Sequence, residues 1–144
     1  LWHNWVERPD HLYLMTRDEL LDPIISTIRK GTGVSGVELR KVFEDWEVIP
    51  MTIDGKHVAT GVFKGMELHF ALVPGWKPQA CYRGAIREFL RPLFDRYGFL
   101  TTRVLHERPA QKEFVKRLGF KPTWRGENVD YYMLTRLPFE RKTP

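Results

Sequence analysis

The hydrophobic pattern of the first third of the chain predicts two helices. Thr16 precedes an Arg-Asp-Glu run and suits the N-cap of a helix, and apolar residues follow it at helical spacing. Gly31 and Gly33 are expected to end that helix. Ser35 is expected to cap a second, shorter helix, and the apolar run at 12–15 is interpreted as a first strand that precedes both.

The middle of the chain changes to a hydrophobic period of two, which is typical of β-strands. Asp54-Gly55 is a strong signal for a two-residue hairpin turn, because both residue types tolerate a positive φ. The three alternating runs are therefore predicted to form an antiparallel meander of strands at 46–53, 57–63 and 66–73.

The second half of the chain alternates helices with strands. A long apolar stripe predicts a helix over 82–97, which contains Pro92 and is closed by Gly98. Pro109 suits the start of another helix and Gly119 its end. Strands are predicted at 100–105, 120–124 and 129–136.

Together these elements predict an α+β fold in the order β-α-α-β-β-β-α-β-α-β-β. Hairpin-linked strands followed by a β-α-β unit require a mixed, mostly antiparallel central sheet flanked by helices. The 144 residues fit a single domain spanning 1–144, and the proline-bounded residues 137–144 are predicted to fray.

Composition narrows the classes of function. With 42% hydrophobic residues the chain can bury a core, and no apolar run reaches the length of a membrane span. One cysteine cannot form an internal disulfide, so a cytoplasmic location is expected. Cys81 is interpreted as a small core residue, with a nucleophile as the alternative. The formal charge of +5 suits an acidic ligand: a phosphorylated cofactor, a nucleic acid or an acidic protein.

Three segments carry a resemblance to a known family. Residues 114–120 (FVKRLGF) are similar to a signature that ends a helix, and residues 130–134 (DYYML) to a closing strand. The apolar strand at 68–73, followed by Pro74 and a loop that enters a helix, is similar to a cofactor-binding motif. These segments and the order of elements resemble the GNAT (GCN5-related N-acetyltransferase) superfamily along nearly the whole chain.

The resemblance implies acetyl-CoA, or another acyl-CoA, as the cofactor. In this family the strands before and after the central helix splay apart, and the pantetheine arm pairs with the earlier strand, here at Leu72 and Val73. The pyrophosphate lies on backbone amides of the loop and the helix start, where the helix dipole favours an anion. The remaining cofactor-binding residues that the resemblance implies are Lys77, Gln79, Ala80, Tyr82, Arg83, Gly84 and Arg108.

The sequence departs from the family pattern in the loop and in the last helix. Tyr82 stands where two alternative alignments of the loop both expect a glycine, and its phenol either blocks the pyrophosphate or points away from it. Val115 stands where a tyrosine often protonates the leaving thiolate. Tyr131 or Tyr132 is the expected substitute for that acid.

A general base is also required, to take a proton from the acceptor amine. Glu67 and His69 share the polar face of the strand before the loop, where the family often places this base. His106, at the end of the next strand, and Glu107 are further candidates. The predicted catalytic residues are Glu67, His69 and Tyr131.

Three functions compete. The first is N-acyl transfer from acetyl-CoA to an amine on a small molecule or a protein. The second is a catalytically inactive protein-binding domain, because the two departures resemble GNAT-like virion or assembly proteins of tailed phages, which act in the host cytoplasm or the virion. The third is nucleic-acid binding through the basic stripe of Arg83, Arg87 and Arg91.

The third function is disfavoured, because no nucleic-acid-binding motif is present and a solvated helix face explains the stripe. No metal site is predicted, since the five histidines do not fall at ligand spacing. A monomer, or a homodimer through the last strand as the resemblance implies, is expected, with no membrane association.

Overall fold

A computed structural model describes residues 15–77 and 79–139 and confirms the predicted α+β class. Most of the strand predicted at 12–15 lies outside the described residues, and Met15 is not in a strand. From the first helix onward the predicted order of helices and strands is confirmed. The elements are α1 (Arg17–Thr32), α2 (Gly36–Val42), β1 (Glu47–Ile53), β2 (Lys56–Lys64), β3 (Glu67–Leu72), a 3-10 turn (Ala80–Tyr82), α3 (Arg83–Tyr97), β4 (Leu100–Leu105), α4 (Pro109–Arg117), β5 (Lys121–Arg125) and β6 (Val129–Leu134).

The six strands form one mixed sheet in the order β1-β2-β3-β4-β6-β5. Contacts divide the described residues into two compact units. The first unit contains α1, α2, β1, β2 and residues 69–77, and the second contains residues 65–68 and the described chain from 79 onward. Within residues 15–77 and 79–139, no helix has the length and apolar character that crossing a bilayer demands.

The helix signals at the start of the first unit are confirmed. The Thr16 hydroxyl accepts the Glu19 N–H at 3.1 Å, and the Glu19 carboxylate accepts the Thr16 N–H at 3.1 Å, which forms a capping box. Gly33 closes α1 with a φ of 72°, and Ser35 caps α2 by accepting the Glu38 N–H at 3.2 Å. The boundaries of both helices therefore follow from local hydrogen bonds.

The core of the first unit lies where the two helices cover the sheet. Seven buried side chains form one cluster from α1, α2, β2 and β3: Leu21, Ile24, Ile25, Leu39, Phe43, Val62 and Ala71. Ala71 alternates with Glu67 and His69 along β3, but it is buried because it packs into this cluster.

The hairpin between β1 and β2 forms as predicted. Asp54 and Gly55 both have a positive φ, of 53° and 77°, and Ile53 pairs with Lys56 across the turn. Two consecutive positive φ values give the turn a twist that matches the twist of the strands.

A buried threonine ties this hairpin to α1. Thr60 is fully buried on β2, and its hydroxyl donates to the Leu20 carbonyl at 2.6 Å. Because the hydroxyl proton is used there, the His57 ring nitrogen at 2.9 Å acts as the donor to Thr60 Oγ1. The hydroxyl therefore links a strand, a helix and a histidine.

We expect Thr60→Val to lower the free energy of unfolding by about 1–3 kcal/mol, because a buried carbonyl and a ring N–H lose this partner. Urea unfolding measures the change. Thr52→Val, at a half-buried position on β1, is the matched control and should change stability by less than about 0.5 kcal/mol. Equal losses in the two variants would contradict the role assigned to Thr60.

The second unit is built on β4 and β6, with α3 against β4. Ile86, Leu90 and Leu93 are the buried residues of α3, and Leu100 and Val104 are buried on β4. β4 pairs antiparallel with β6, and β6 pairs antiparallel with β5. The predicted bounds of β4 are confirmed residue for residue.

β5 is the edge strand of the sheet, and it is irregular. All five of its residues are exposed, and the pairing register with β6 shifts between Pro122 and Trp124. Pro122 has no N–H to donate, which is tolerated at a sheet edge. The solvent-exposed N–H and C=O groups of β5 are therefore interrupted by Pro122 and by the register shift, and they lie between the charged Lys121 and Arg125.

The chain after β6 packs against the protein, although the sequence predicted fraying from residue 137. Leu137 is 7% exposed and Pro138 is also buried. The Phe139 carbonyl accepts a hydrogen bond from Arg87 Nη1 at 2.8 Å. Fraying was the wrong expectation for residues 137–139, because apolar burial and an arginine on α3 hold them; residues 140–144 lie outside the description.

Candidate active site

The start of α3 is suited to holding an anion. Its N-cap, Tyr82, makes no side-chain capping bond, and its first turn contains no acidic residue. The first N–H groups of a helix have no partner within the helix and carry partial positive charge. Apart from the adjacent backbone, the nearest described atom to a Cβ added at Gly84 would be Arg87 Nη2, at 3.9 Å, so this part of the structure leaves space beside the glycine. Such a surface fits a phosphate.

Tyr82 occupies a position that does not require glycine. Its φ of −93° and ψ of 2° lie in a region that any residue can adopt, and its side chain is half-buried. Its N–H donates to the Gln79 carbonyl at 2.9 Å and closes the 3-10 turn that contains Ala80. The departure from the family glycine therefore causes no backbone strain at Tyr82.

The loop before this turn uses some of its own backbone groups. The Val73 N–H donates to the Val58 carbonyl at 2.9 Å, and the Val73 carbonyl accepts the Trp76 N–H at 3.0 Å. The Val73 N–H is therefore already engaged and is not free to pair with a pantetheine arm, as the resemblance implied. Leu72 is half-buried at the end of β3, and Lys77 and Gln79 are exposed.

Arginines of the predicted basic stripe make contacts within the second unit. The Arg83 guanidinium lies 5.5 Å from the centroid of the Phe139 ring. Arg87 donates to the Phe139 carbonyl, and Arg91 pairs with Glu88 at 2.9 Å. These contacts explain the stripe without a nucleic-acid ligand.

Cys81 is exposed, so its interpretation as a core residue is wrong. It lies in the 3-10 turn, ahead of the buried stripe of α3, whose first buried residue is Ile86. Its Sγ is 3.8 Å from Gln79 Oε1. The single thiol of the chain is therefore accessible to solvent in the turn just before α3.

β3 and β4 pair in parallel at Glu67 and Thr101. The Thr101 N–H donates to the Met66 carbonyl at 2.9 Å, just before β3 begins. Among the described residues, this is the one residue pair that joins β3 to β4. The pairing of the two strands therefore involves only the first residue of β3.

Four side chains form a row across one face of the second unit. Arg103 of β4 donates from Nε and Nη2 to Glu67 Oε2 of β3, at 3.0 and 2.8 Å. Arg103 pairs with Tyr131 of β6, which in turn pairs with Trp124 of β5. Directly paired residues lie on the same face of a sheet. The row therefore runs from a carboxylate through a guanidinium to two exposed aromatic rings.

His69, the second predicted base, is half-buried in the first unit. Its ring lies 5.5 Å from the ring of Trp46, at a tilt of 49°. Trp46 in turn makes an edge contact with Phe43, at 5.3 Å between centroids. The imidazole of His69 therefore packs beside the Trp46 ring.

His106 belongs to a charged cluster at the end of β4. Asp130 is central to this cluster: its Oδ1 lies 3.0 Å from His106 Nε2 and its Oδ2 lies 3.0 Å from Lys112 Nζ. The contact with His106 is close but does not have the alignment of a hydrogen bond. The Lys112 hydrogen bond is the main cause that lowers the pKa of Asp130; burial opposes this shift, and the electrostatic effects of Lys112, His106 and Arg125 add to it.

The lowered pKa of Asp130 predicts acid sensitivity. Stability from an ionised Asp130 is present above its ordinary pKa of 3.8 and is lost as the pH falls through the lower pKa of the folded state. We expect wild type to lose this contribution progressively as the pH falls below about 4. Asp130→Asn should be less stable at neutral pH but lose less on acidification, as measured by urea unfolding. Parallel acid profiles for the two proteins would contradict this assignment.

Several solved structures have an architecture similar to that of this chain. Campylobacter jejuni N-acetyltransferase PseH has a TM-score of 0.56 at 14% sequence identity, and the match covers 83% of this chain and 91% of the PseH chain. The ribosomal-protein-S18-alanine N-acetyltransferase from Escherichia coli has a TM-score of 0.52 at 16% identity, over 83% and 87%. A mutant of spermidine N-acetyltransferase SpeG from Vibrio cholerae has a TM-score of 0.52 at 13% identity, over 69% and 75%.

This chain has the GNAT fold.

Comparison with protein-family models gives no match, and no curated protein matches either. One of the similar structures is PseH in complex with acetyl coenzyme A, with a TM-score of 0.54 at 15% identity, over 83% of this chain and 92% of that one. At these identities the likeness establishes the GNAT fold alone.

The remaining predicted residues of this GNAT fold differ in their exposure. Val115 is half-buried on α4, and α4 contains no tyrosine. Tyr132 is 2% exposed on β6 and is therefore not available as an acid at the surface, whereas Tyr131 is 36% exposed. Arg108 is the N-cap of α4 and makes no side-chain capping bond.

Sequence reasoning missed Arg103 and the Asp130–Lys112 pair. Arg103 is the one charged residue in an otherwise apolar and threonine-rich strand. That contrast could have identified it as a residue with a specific partner. Asp130 was noticed only as part of a closing-strand motif. Their partners come from elsewhere in the chain, and the sequence carries no signal for such pairs.

Proposed function

We propose that this protein is an N-acyltransferase that moves an acetyl group from acetyl-CoA to an amine. The observation that carries the proposal is the start of α3, where an uncapped, acid-free first turn with an open glycine follows β3 in a GNAT fold. The fold is shared with N-acetyltransferases, one of them in complex with acetyl coenzyme A. Fold alone does not fix activity, so the chemistry rests on this site.

In this proposal the pyrophosphate lies on the backbone amides of Arg83 and Gly84. Ala80 and Tyr82 form the turn that presents these amides. Gln79, Arg83 and Arg108 offer further donors at the loop and at the start of α4.

When bound, acetyl-CoA supplies a thioester carbonyl that is open to attack by an amine. The amine nitrogen forms the new bond to carbon and the carbon–sulfur bond breaks, so one proton leaves the amine and one goes to the sulfur. We assign removal of the amine proton to Glu67, and Arg103 holds that carboxylate in place through Nε and Nη2. Tyr131, exposed in the same row, donates the proton to the sulfur, and His69 is the alternative base.

Calorimetric titration with acetyl-CoA tests the proposal. We expect saturable binding with a dissociation constant of roughly 1 μM to 1 mM, the range in which enzymes commonly hold their substrates. Absence of both heat and a thermal shift at millimolar acetyl-CoA would contradict the proposal and favour the non-enzymatic, protein-binding alternative.

Protection of Cys81 tests the place of binding. Its thiol is exposed in the turn that leads into α3, so bound acetyl-CoA should slow alkylation of Cys81 by iodoacetamide, followed by mass spectrometry. Acetate and free adenosine, which lack the pyrophosphate, are the controls and should give no protection. Binding with unchanged alkylation would place acetyl-CoA away from α3.

We propose a primary amine on a small molecule or a protein as the acceptor. Spermidine N-acetyltransferase and ribosomal-protein-S18-alanine N-acetyltransferase, both of similar fold, act on amines of those two kinds by their names. A monomer or homodimer in the cytoplasm is the setting that we propose for this activity. Screening polyamines and peptide amines for acetyl transfer, with CoA release measured by chromatography, identifies the acceptor class.

A further inference from the structure

A groove of about 760 Å³ lies between α1 and α2 in the first unit. Its volume is within the range of about 300–1,000 Å³ that ligand sites commonly occupy. Residues of α1 between Asp22 and Lys30, the connecting Gly33 and residues of α2 between Gly36 and Arg40 line it. None of these residues has a part in the acyl-transfer site proposed above, so the groove is a separate feature of the molecule.

Three of the residues that line the groove are cationic, and they differ in what they contact. Arg40 is engaged: its Nη2 lies 2.6 Å from Asp22 Oδ1 and its Nη1 lies 3.5 Å from Asp18 Oδ1. Arg29 and Lys30 are exposed on the last turn of α1, and among the described residues neither has a carboxylate partner. Within residues 15–77 and 79–139, the groove therefore carries two positive charges that no carboxylate neutralises.

The groove also has an apolar part. Val37 projects into solvent with 70% of its surface exposed, and Ile25 is buried beneath the groove. Gly36 has no side chain between them: a Cβ there would lie 3.7 Å from Ile25 Cγ2 and 3.9 Å from Arg29 Nη1. Because Gly36 has no side chain, its backbone is accessible between the aliphatic Ile25 and the guanidinium of Arg29.

We propose that this groove docks an acidic segment of a partner protein, with carboxylates on Arg29 and Lys30 and an aliphatic side chain against Val37. Charge complementarity selects the acidic residues, and the exposed valine selects the aliphatic one. The proposal stands independently of acyl transfer, because the groove and the start of α3 share no residue.

The composition of the groove favours a protein segment over a nucleic acid. Asp22, which also lines the groove, pairs with Arg40 and so removes the third cation from those that could bind phosphates. Nucleic-acid binding needs several cations that each neutralise a phosphate, and only two are available here. A valine as exposed as Val37 contributes nothing to phosphate contacts.

Fluorescence anisotropy with the intact protein tests the docking. The probe is a fluorescein-labelled peptide rich in glutamate and leucine, and the same peptide with every glutamate replaced by lysine is the peptide control. We expect saturable, salt-sensitive binding of the first peptide and none of the second. Arg29→Glu with Lys30→Glu should weaken binding about tenfold or more, because attraction becomes repulsion.

The matched control is Lys116→Glu with Arg117→Glu. These residues also lie on the last turn of a helix, α4, so the change in net charge and in helix position is the same. This control should bind the peptide within about twofold of wild type, a shift below about 0.5 kcal/mol. Val37→Ser alters an exposed side chain and leaves the charge unchanged; it should weaken binding about threefold without changing the salt dependence.

Four outcomes would overturn the proposal. They are no binding at low salt, equal weakening by the two double variants, full affinity in Val37→Ser, and displacement of the peptide by an oligonucleotide of equal charge at the same concentration. The second would show general attraction to a basic protein, and the fourth would show a site for any polyanion. Circular dichroism of each variant establishes that a loss of binding does not come from unfolding.

Discussion

Binding of acetyl-CoA should weaken by at least about thirtyfold when Gly84 is replaced by aspartate, because two like charges about 4 Å apart repel by roughly 4 kcal/mol near a protein surface. The new carboxylate would lie in the first turn of α3, beside the amides proposed to hold the pyrophosphate. The side chain has room, since apart from the adjacent backbone no described atom lies closer than 3.9 Å to the position of its Cβ. Calorimetric titration of the variant measures the loss.

Stability separates this effect from damage to the fold. An acidic residue in the first turn interacts favourably with the helix dipole, so the Gly84→Asp protein should be at least as stable as wild type in urea. Gly84→Ala is the matched control, which adds the Cβ without the charge and should retain acetyl-CoA binding within about fivefold, or about 1 kcal/mol. Undiminished binding by the aspartate variant would show that the pyrophosphate does not lie at the start of α3.

Loss of the carboxylate at Glu67 should lower kcat by about two to four orders of magnitude, the usual contribution of a positioned general base. Glu67→Gln keeps the size of the side chain and an oxygen that Arg103 can still contact, so the row of side chains should persist. Binding of acetyl-CoA should be unaffected, because the substitution is not at the proposed pyrophosphate site. Steady-state acetyl transfer to the best amine of the screen gives kcat and KM separately.

Glu127→Gln is the control for this substitution, since Glu127 is exposed in the turn between β5 and β6 and should tolerate the change without loss of activity. His69→Ala and His106→Ala extend the comparison to the other predicted bases. A wild-type kcat in Glu67→Gln together with a large loss in one histidine variant would transfer the assignment of the base to that histidine.

The parts of the fold that the sequence predicted well are those determined by a few neighbouring residues. Thr16 caps α1 through bonds to Glu19 three residues away, and Gly33 ends α1 through a positive φ. The turn at Asp54-Gly55 sets the register of β1 and β2 for the same reason. Residue type and spacing are sufficient in each case, because both partners are close in the sequence.

The candidate site was less predictable, because its contacts join distant residues. Glu67 meets Arg103 across 36 positions, and this pair exists only because β3 and β4 are parallel neighbours. Asp130 meets Lys112 through the position of α4 beside β6. The alternation along β3 identified Glu67 and His69, but the pattern of one strand contains no information about the side chains on the next.

Two wrong expectations share a physical cause. Cys81 was assigned to the core from its residue type, and the segment from Leu137 was assigned to solvent from its prolines and charges. Burial is decided by what a segment packs against: the 3-10 turn leaves Cys81 in water, while Arg87 and buried contacts retain residues 137–139. Residue type and composition reflect average environments. They therefore fail to predict burial where one long-range contact decides whether a segment is packed or exposed.

The irregular outer strand β5 bears on how the protein behaves at high concentration. A second chain that added itself to this edge would meet a proline without an N–H, a register shift one residue later and a lysine and an arginine at the two ends. Each of these features works against continuous strand addition. Indefinite growth of sheets from one molecule to the next, the first step toward amyloid-like fibres, is therefore hindered at this edge by the covalent structure of the strand itself.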